Sequence, residues 1–309
     1  MEMVDLSAGI MSGSSAQAVD IPLEGNPQDI VVNKSGSIAY VANWSSKSLD
    51  FVDLESKSLI RFVEVGDFPK SLVLNKDESR LYGCTETSVF YVDTADYSVQ
   101  HINGLPGPRG LAFSPDETFF YVGVADYSKD SAARGEPFES LYVINTLTDE
   151  IEKKVVGPGV TNLVVRQGGS RVFVATYNES SVTAVDLNTS VVTPVLETQW
   201  PAVIAMDSAR ALVYVGGGEE ISVFDALTQN VVVRHPVANS RSIVFNESGT
   251  LFYASIVFPS GISIVNAKTG IVVENINISS KALATNYTKQ FLYSVEFGGI
   301  SIFPLRLRT

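Results

Sequence analysis

The chain has 309 residues, 45% of them hydrophobic and only 18% charged, with 34 acids against 22 Lys and Arg for a net charge of −12. Such a composition excludes a disordered chain, and the acidic balance argues against general nucleic-acid binding, which needs a basic face. No apolar run approaches the ~18 residues of a membrane-crossing helix, and a single cysteine allows no internal disulfide and gives no guide to redox compartment.

Residues 1–15 have neither a basic start nor an apolar core and do not read as an intact secretion signal. Residues 17–23 (QAVDIPL) read as a lone strand. From Pro27 to Gly66 the chain makes a four-stranded meander, with strand A at 29–33, B at 38–42, C at 48–53 and D at 59–65. Period-2 alternation, β-branched and aromatic enrichment, and turn residues between the runs all favour strands.

The remainder repeats this unit. Aligning on Tyr40 gives Tyr82, Tyr121, Phe173, Tyr214, Tyr253 and Tyr293, at spacings of 42, 39, 52, 41, 39 and 40. Two residues later comes a column of Ala42, Cys84, Gly123, Ala175, Gly216 and Ser255, with Val295 the exception. Strand C ends in Asp53, Asp93, Asn145, Asp186, Asp225 and Asn266, side chains that bond their own backbone two residues on and start the C–D turn; Pro304 breaks the column. A four-stranded unit repeating about every 40 residues predicts an all-β fold, a seven-bladed β-propeller of antiparallel blades in one domain. The predicted blades are 26–66, 67–105, 106–157, 158–197, 198–237, 238–278, and 279–306 with 17–23. The last run supplies strands A, B and C only, so the N-terminal strand is expected to close it and leave no free edge.

AYVAN (39–43), LYGCT (81–85), FYVGV (120–124), VFVAT (172–176) and VYVGG (213–217) resemble the YVTN repeat of archaeal and bacterial surface-layer β-propellers, and more distantly the lactonase-like seven-bladed propellers. The resemblance spans nearly the whole chain and implies the fold. These motifs are scaffold residues, so they imply little about function.

The D–A links and B–C loops should share one face, where propellers generally place a ligand site around the channel mouth. The residue after the link proline or its equivalent is Gln28, Lys70, Arg109, Thr161, Ala202, Arg241 and Lys281 in successive blades. A basic ring in an acidic protein is expected to face the mouth. At about 10 Å each like pair repels by roughly 0.4–1.7 kcal/mol, so something must offset it. Either an anionic ligand is held by Arg and Lys, or the ring pairs internally with Asp29, Glu86, Glu219, Glu220 or Glu296. On the same loops Trp44, Tyr127, Tyr177, Phe258 and Phe297 offer rings for stacking or for rim packing. Glu86, Tyr127, Glu219 and Glu296 are the candidates for proton transfer, given burial beside the cations. The one insertion, 125–140 in blade 3, is long enough to act as a lid.

Other chemistries fall away. The two histidines, His101 and His235, lie on separate D strands, the outer edges, without Cys, His or Asp partners at ligand spacing, so no metal is expected. No Ser-His-Asp set has a plausible base. Cys84 sits in the small column as a packed thiol. Gly216–Gly218 has no helix after it and is no phosphate loop. No cofactor is expected, and a monomer is. Asn-x-Ser/Thr occurs at Asn33, Asn43, Asn178, Asn188, Asn246, Asn277 and Asn286, which reads either as glycosylation acceptors or as turn chemistry. The acceptors, with the resemblance, would favour a cell-surface location; a complete chain without a signal would be cytoplasmic.

Two functions from different classes remain. One is a binding module whose mouth takes an anionic small molecule or an acidic group of a partner. The other is a metal-independent lactonase, cyclase or lyase acting on a small anion at the same place. The histidine or metal-binding acids of the lactonase-like enzymes have no match here.

Overall fold

The computed structural model describes residues 19–125, 139–148, 150–154, 156 and 159–305. Tyr127 and most of the 125–140 insertion expected as a lid lie outside the described residues. Within them every regular element is a strand, and the strands form seven four-stranded antiparallel sheets. The fold is a seven-bladed β-propeller. Blade 1 pairs Pro27–Val32, Ile38–Asn43, Ser48–Asp53 and Ser58–Glu64 in chain order as strands A to D. The other blades follow the same order except the last. There Ala282–Asn286, Phe291–Glu296 and Gly299–Pro304 take their fourth strand, Val19–Pro22, from the other end of the chain, with Val19 opposite Ile302 and Pro22 opposite Gly299.

Local chemistry fixes the turns. Asp53 accepts the amides of Glu55 and Ser56, both at 2.8 Å. The equivalents Asp93, Asn145, Asp186, Asp225 and Asn266 each accept the same two amides of their own turns. These bonds satisfy backbone donors that no strand can reach. They also hold the Asp53 and Asp225 carboxyls below their ordinary range.

The core lies between blades rather than within them. Each hydrophobic cluster joins two neighbours: one combines Tyr40, Phe51 and Val63 of blade 1 with Leu72, Leu81 and Phe90 of blade 2, and another combines Ile21, Tyr293 and Ile300 of the closing blade with Ile30 and Val41. All seven aromatics of the Tyr40 column are buried, none more than 6% exposed. The small column lets the next blade approach. A Cβ on Gly123 would overlap Val160, and one on Gly216 would overlap Ser240.

Two expectations need correction. His101 is exposed, but His235 is fully buried between blades 5 and 6, its ring 5.3 Å from that of Phe252. Blade twist leans the end of strand D over the next blade, so "outer" in strand order is not outer in space. Four of the seven Asn-x-Ser/Thr asparagines, Asn33, Asn43, Asn246 and Asn286, are buried and committed to structure. Asn33, for example, accepts the amides of Ser37 and Ile38 at 2.9 and 3.0 Å. At those positions the motif is turn chemistry.

Tyr121→Ala removes a ring that is 1% exposed, and unfolding in urea should show a loss of roughly 3–5 kcal/mol; a loss below about 1 kcal/mol would mean the ring contributes no interblade packing. Removing residues 1–23 strips the outer strand from the last blade. The truncated protein is expected to melt earlier and to self-associate through the bared edge of Gly299–Pro304, and a monomer of unchanged melting temperature would contradict closure by that strand.

Candidate functional site

Where strand A begins, four blades carry a register shift against strand B: between Pro27 and Asp29, Pro108 and Gly110, Val160 and Asn162, and Ser240 and Ser242. The residue passed over is Gln28, Arg109, Thr161 or Arg241. A bulge of this kind re-aims one side chain. In the other three blades the position is anchored by its own amide: Lys70 N donates to Cys84 O, Ala202 N to Gly216 O and Lys281 N to Val295 O, at 2.8–2.9 Å. By either route all seven residues line one cavity of about 620 Å³ at the centre of the ring. Trp44 and Tyr177 line it too.

The four cations have different surroundings. Lys70 pairs with Glu86 at 2.7 Å, but the Glu86 side chain is 49% exposed, so the pair is worth at most about 1 kcal/mol. The Lys281 ammonium bonds Asn26 Oδ1 and lies 3.8 Å from the Phe297 ring centre. Its pKa is lowered by burial first and by the Arg241 charge second, with Glu296 opposing. Burial in turn raises the Glu296 carboxyl. Arg241 is exposed and makes no ion pair among the described residues. Gln28 donates to Asn26 Oδ1 at 2.9 Å, so Asn26 ties blade 1 to Lys281 of blade 7. Trp44 stacks on Phe68 at 4.4 Å, which fixes its ring at the cavity edge.

Of the acids singled out in the sequence, Glu86, Glu219 and Glu296 sit on the rim and are not among the residues lining the cavity. Glu219 is exposed. Glu220 turns outward to Arg234 and Ser222 instead of pairing with the ring. Among the described residues the carboxylate that does line the cavity is Asp29. Its oxygens accept Ile30 N at 2.9 Å and, across the blade boundary, Leu72 N at 2.8 Å. Asp29 is half-buried where it lines the cavity. Desolvation pushes its pKa up to about 6, with the two amides holding it back. Sequence reading treated Asp29 only as a neutralising partner. The available signal was that strand A carries one carboxylate at this position, where the other blades have Ser71, Gly110, Asn162, Val203, Ser242 and Ala282. Behind the wall, Cys84 donates weakly to Arg109 O at 3.5 Å, and burial raises its thiol to about 12, so it is a packing residue.

No family model matches the chain, so the likeness to the YVTN repeat rests on the segments quoted above. Over 187 residues the chain is 27% identical to Uncharacterized protein YwhL of Bacillus subtilis (strain 168), covering 56% of this chain and 38% of that protein. The match thus spans well under half of the relative's length. Among solved structures, the Kuenenia stuttgartiensis hydrazine synthase superposes with a TM-score of 0.80 at 15% identity, covering 97% of this chain and 100% of that one. At that identity the likeness is one of fold.

Asp29 gives a test through acid–base linkage. Its folded pKa of about 6 lies above the ordinary 3.8, so the fold favours the protonated form. Asp29's contribution to stability is therefore fully present below about pH 4, declines as pH rises to about 6 and is lost above it, a change of about 1–3 kcal/mol. Subtracting the stability–pH curve of Asp29→Asn from that of the native protein should isolate this decline. Parallel curves between those limits would mean Asp29 ionises freely.

Proposed function

We propose that this propeller is a binding protein whose channel mouth takes an anion, either a small molecule or an acidic group of a partner. The observation that carries this reading is the convergence of Lys70, Arg109, Arg241 and Lys281, from four blades, on one cavity. Burial and the nearby Arg241 both disfavour the charged form of Lys281. A bound carboxylate or phosphate would relieve that repulsion and accept charge-assisted hydrogen bonds. Trp44 and Tyr177 supply apolar area beside the charges, as ligand pockets commonly do.

Asp29 favours a second reading. A carboxyl with a pKa of about 6 among cations suits a general acid or base acting on a bound anionic substrate, as a metal-independent lactonase, cyclase or lyase would require. The two readings separate on one variant: Asp29→Asn abolishes turnover in an enzyme and leaves affinity in a binder.

Calorimetric titration with citrate, sulfate and phosphate tests the site. At least one is expected to bind at millimolar concentration or below, and to weaken as added salt screens the field over about 10 Å at 0.1 M. Arg109→Glu should cost more than about 2 kcal/mol of that binding. Absence of binding by all three would remove the anion site and leave the rim as a surface for another macromolecule.

A further inference from the structure

Strand D has an inward position, buried or partly buried, opposite an early core residue of strand C. It is aliphatic in five blades: Val63 faces Leu49, Ile102 faces Val89, Leu196 faces Val182, Ile276 faces Ile262, and Ile21 faces Ile300. Blade 5 has His235 there and blade 3 has Lys154. Lys154 is only 8% exposed. Its ammonium donates to Glu152 Oε1 at 2.8 Å and, across the blade boundary, to Ser190 Oγ at 2.9 Å. An ammonium has three N–H donors, and Lys154 lines a groove of about 540 Å³ between blades 3 and 4, on the A–B turn side and separate from the channel cavity.

The same gap lacks a clasp that closes two others. Lys34 N donates to Glu78 at 2.6 Å and Lys76 N to Glu117 at 2.7 Å, and each lysine ammonium reaches a carbonyl of the next blade's turn, Lys76 O and Pro115 O. Blade 3 has Pro115 at the lysine position, with neither N–H nor ammonium. Blade 4 has Gly169 at the glutamate position. Donor and acceptor are both missing at the boundary where the buried lysine appears.

We propose that this groove is a second ligand site, shaped for a neutral polyhydroxylated molecule of saccharide type. Asp116 and Glu152 outweigh Lys154 by one negative charge, so the groove disfavours the anions that suit the channel. Asp116 takes its three bonds on Oδ1, from Ser114 Oγ, Thr118 N and Thr118 Oγ1, leaving Oδ2 for a ligand hydroxyl. Lys154 donates to another hydroxyl. The Phe119 side chain, in a residue 39% exposed, offers a face for C–H groups. Mixed donors and acceptors beside one apolar face match a sugar rather than an ion.

The test is titration of the intact protein with glucose, N-acetylglucosamine, maltose and lactose, followed by calorimetry or ligand-observed NMR. At least one is expected to bind in the millimolar range. Lys154→Leu, which restores the residue of blade 4, should fold normally and weaken binding about tenfold, as for loss of one charged hydrogen bond. Gly169→Glu should weaken it too. That position has φ +73, and the equivalent Glu78 and Glu117 adopt φ 62 and 59, so glutamate is accepted there. Arg241→Glu should leave saccharide binding unchanged. The proposal is overturned if none of the four sugars binds, if binding survives both groove variants, or if it disappears with Arg241→Glu, which would place the sugar in the channel.

Discussion

A ring of twisted sheets has to close. Each blade hides its apolar face only against the next, so the last must meet the first, and an unpaired outer strand there would expose both an edge and a core. Pairing of Val19–Pro22 with Gly299–Pro304 meets both needs at once. Ile21 enters the cluster that also holds Ile30, Val41 and Tyr293, so the closing strand supplies packing as well as hydrogen bonds. The link is reinforced on both faces of the 7/1 boundary. Lys281 reaches Asn26 on the mouth side, and the Asn286 amide donates to Asn33 O at 2.8 Å on the other.

Closure is also what creates the site. Residues 28 and 281 are remote in sequence, yet they face one cavity because every strand A starts beside the axis. Side chains scattered along the chain are thereby brought to one cavity. The bulges matter here. Without the extra residue the alternation of strand A would place Gln28, Arg109 and Arg241 on a blade face, buried against a neighbour.

The repeat was legible because each column answers a steric or hydrogen-bonding demand made seven times over. An aromatic ring fills the interblade core, a small residue admits the neighbour, and an Asp or Asn starts the C–D turn. The position after the link proline or its equivalent was legible as a column too, although the residue there varies and is cationic in only four blades. What could not be read was whatever depends on contacts across a blade boundary. Asp29 looked like a counter-ion, yet it bonds Leu72 N of the next blade and no ring cation. His235 looked peripheral until twist carried it under blade 6. The Asn-x-Ser/Thr motifs were ambiguous because the same amide that would carry a glycan also closes a turn, and only burial separates the two.

Redundancy explains why such departures survive. With seven similar interfaces, one can give up an aliphatic side chain without the ring opening, since the cost is borne by a single boundary. Among the described residues neither ring nitrogen of His235 has a hydrogen-bond partner, and burial lowers its pKa, so the ring packs against Tyr214 and Phe252 while its polar atoms go unmatched. Lys154 differs. Its charge is matched by Glu152, its ammonium spans to Ser190, and the turns beside it carry no Lys–Glu clasp. A buried charge with two good partners at the wall of an open groove is not required for folding, because an aliphatic residue at the same position suffices in five blades. That asymmetry separates a tolerated defect from a position arranged to meet something outside the chain.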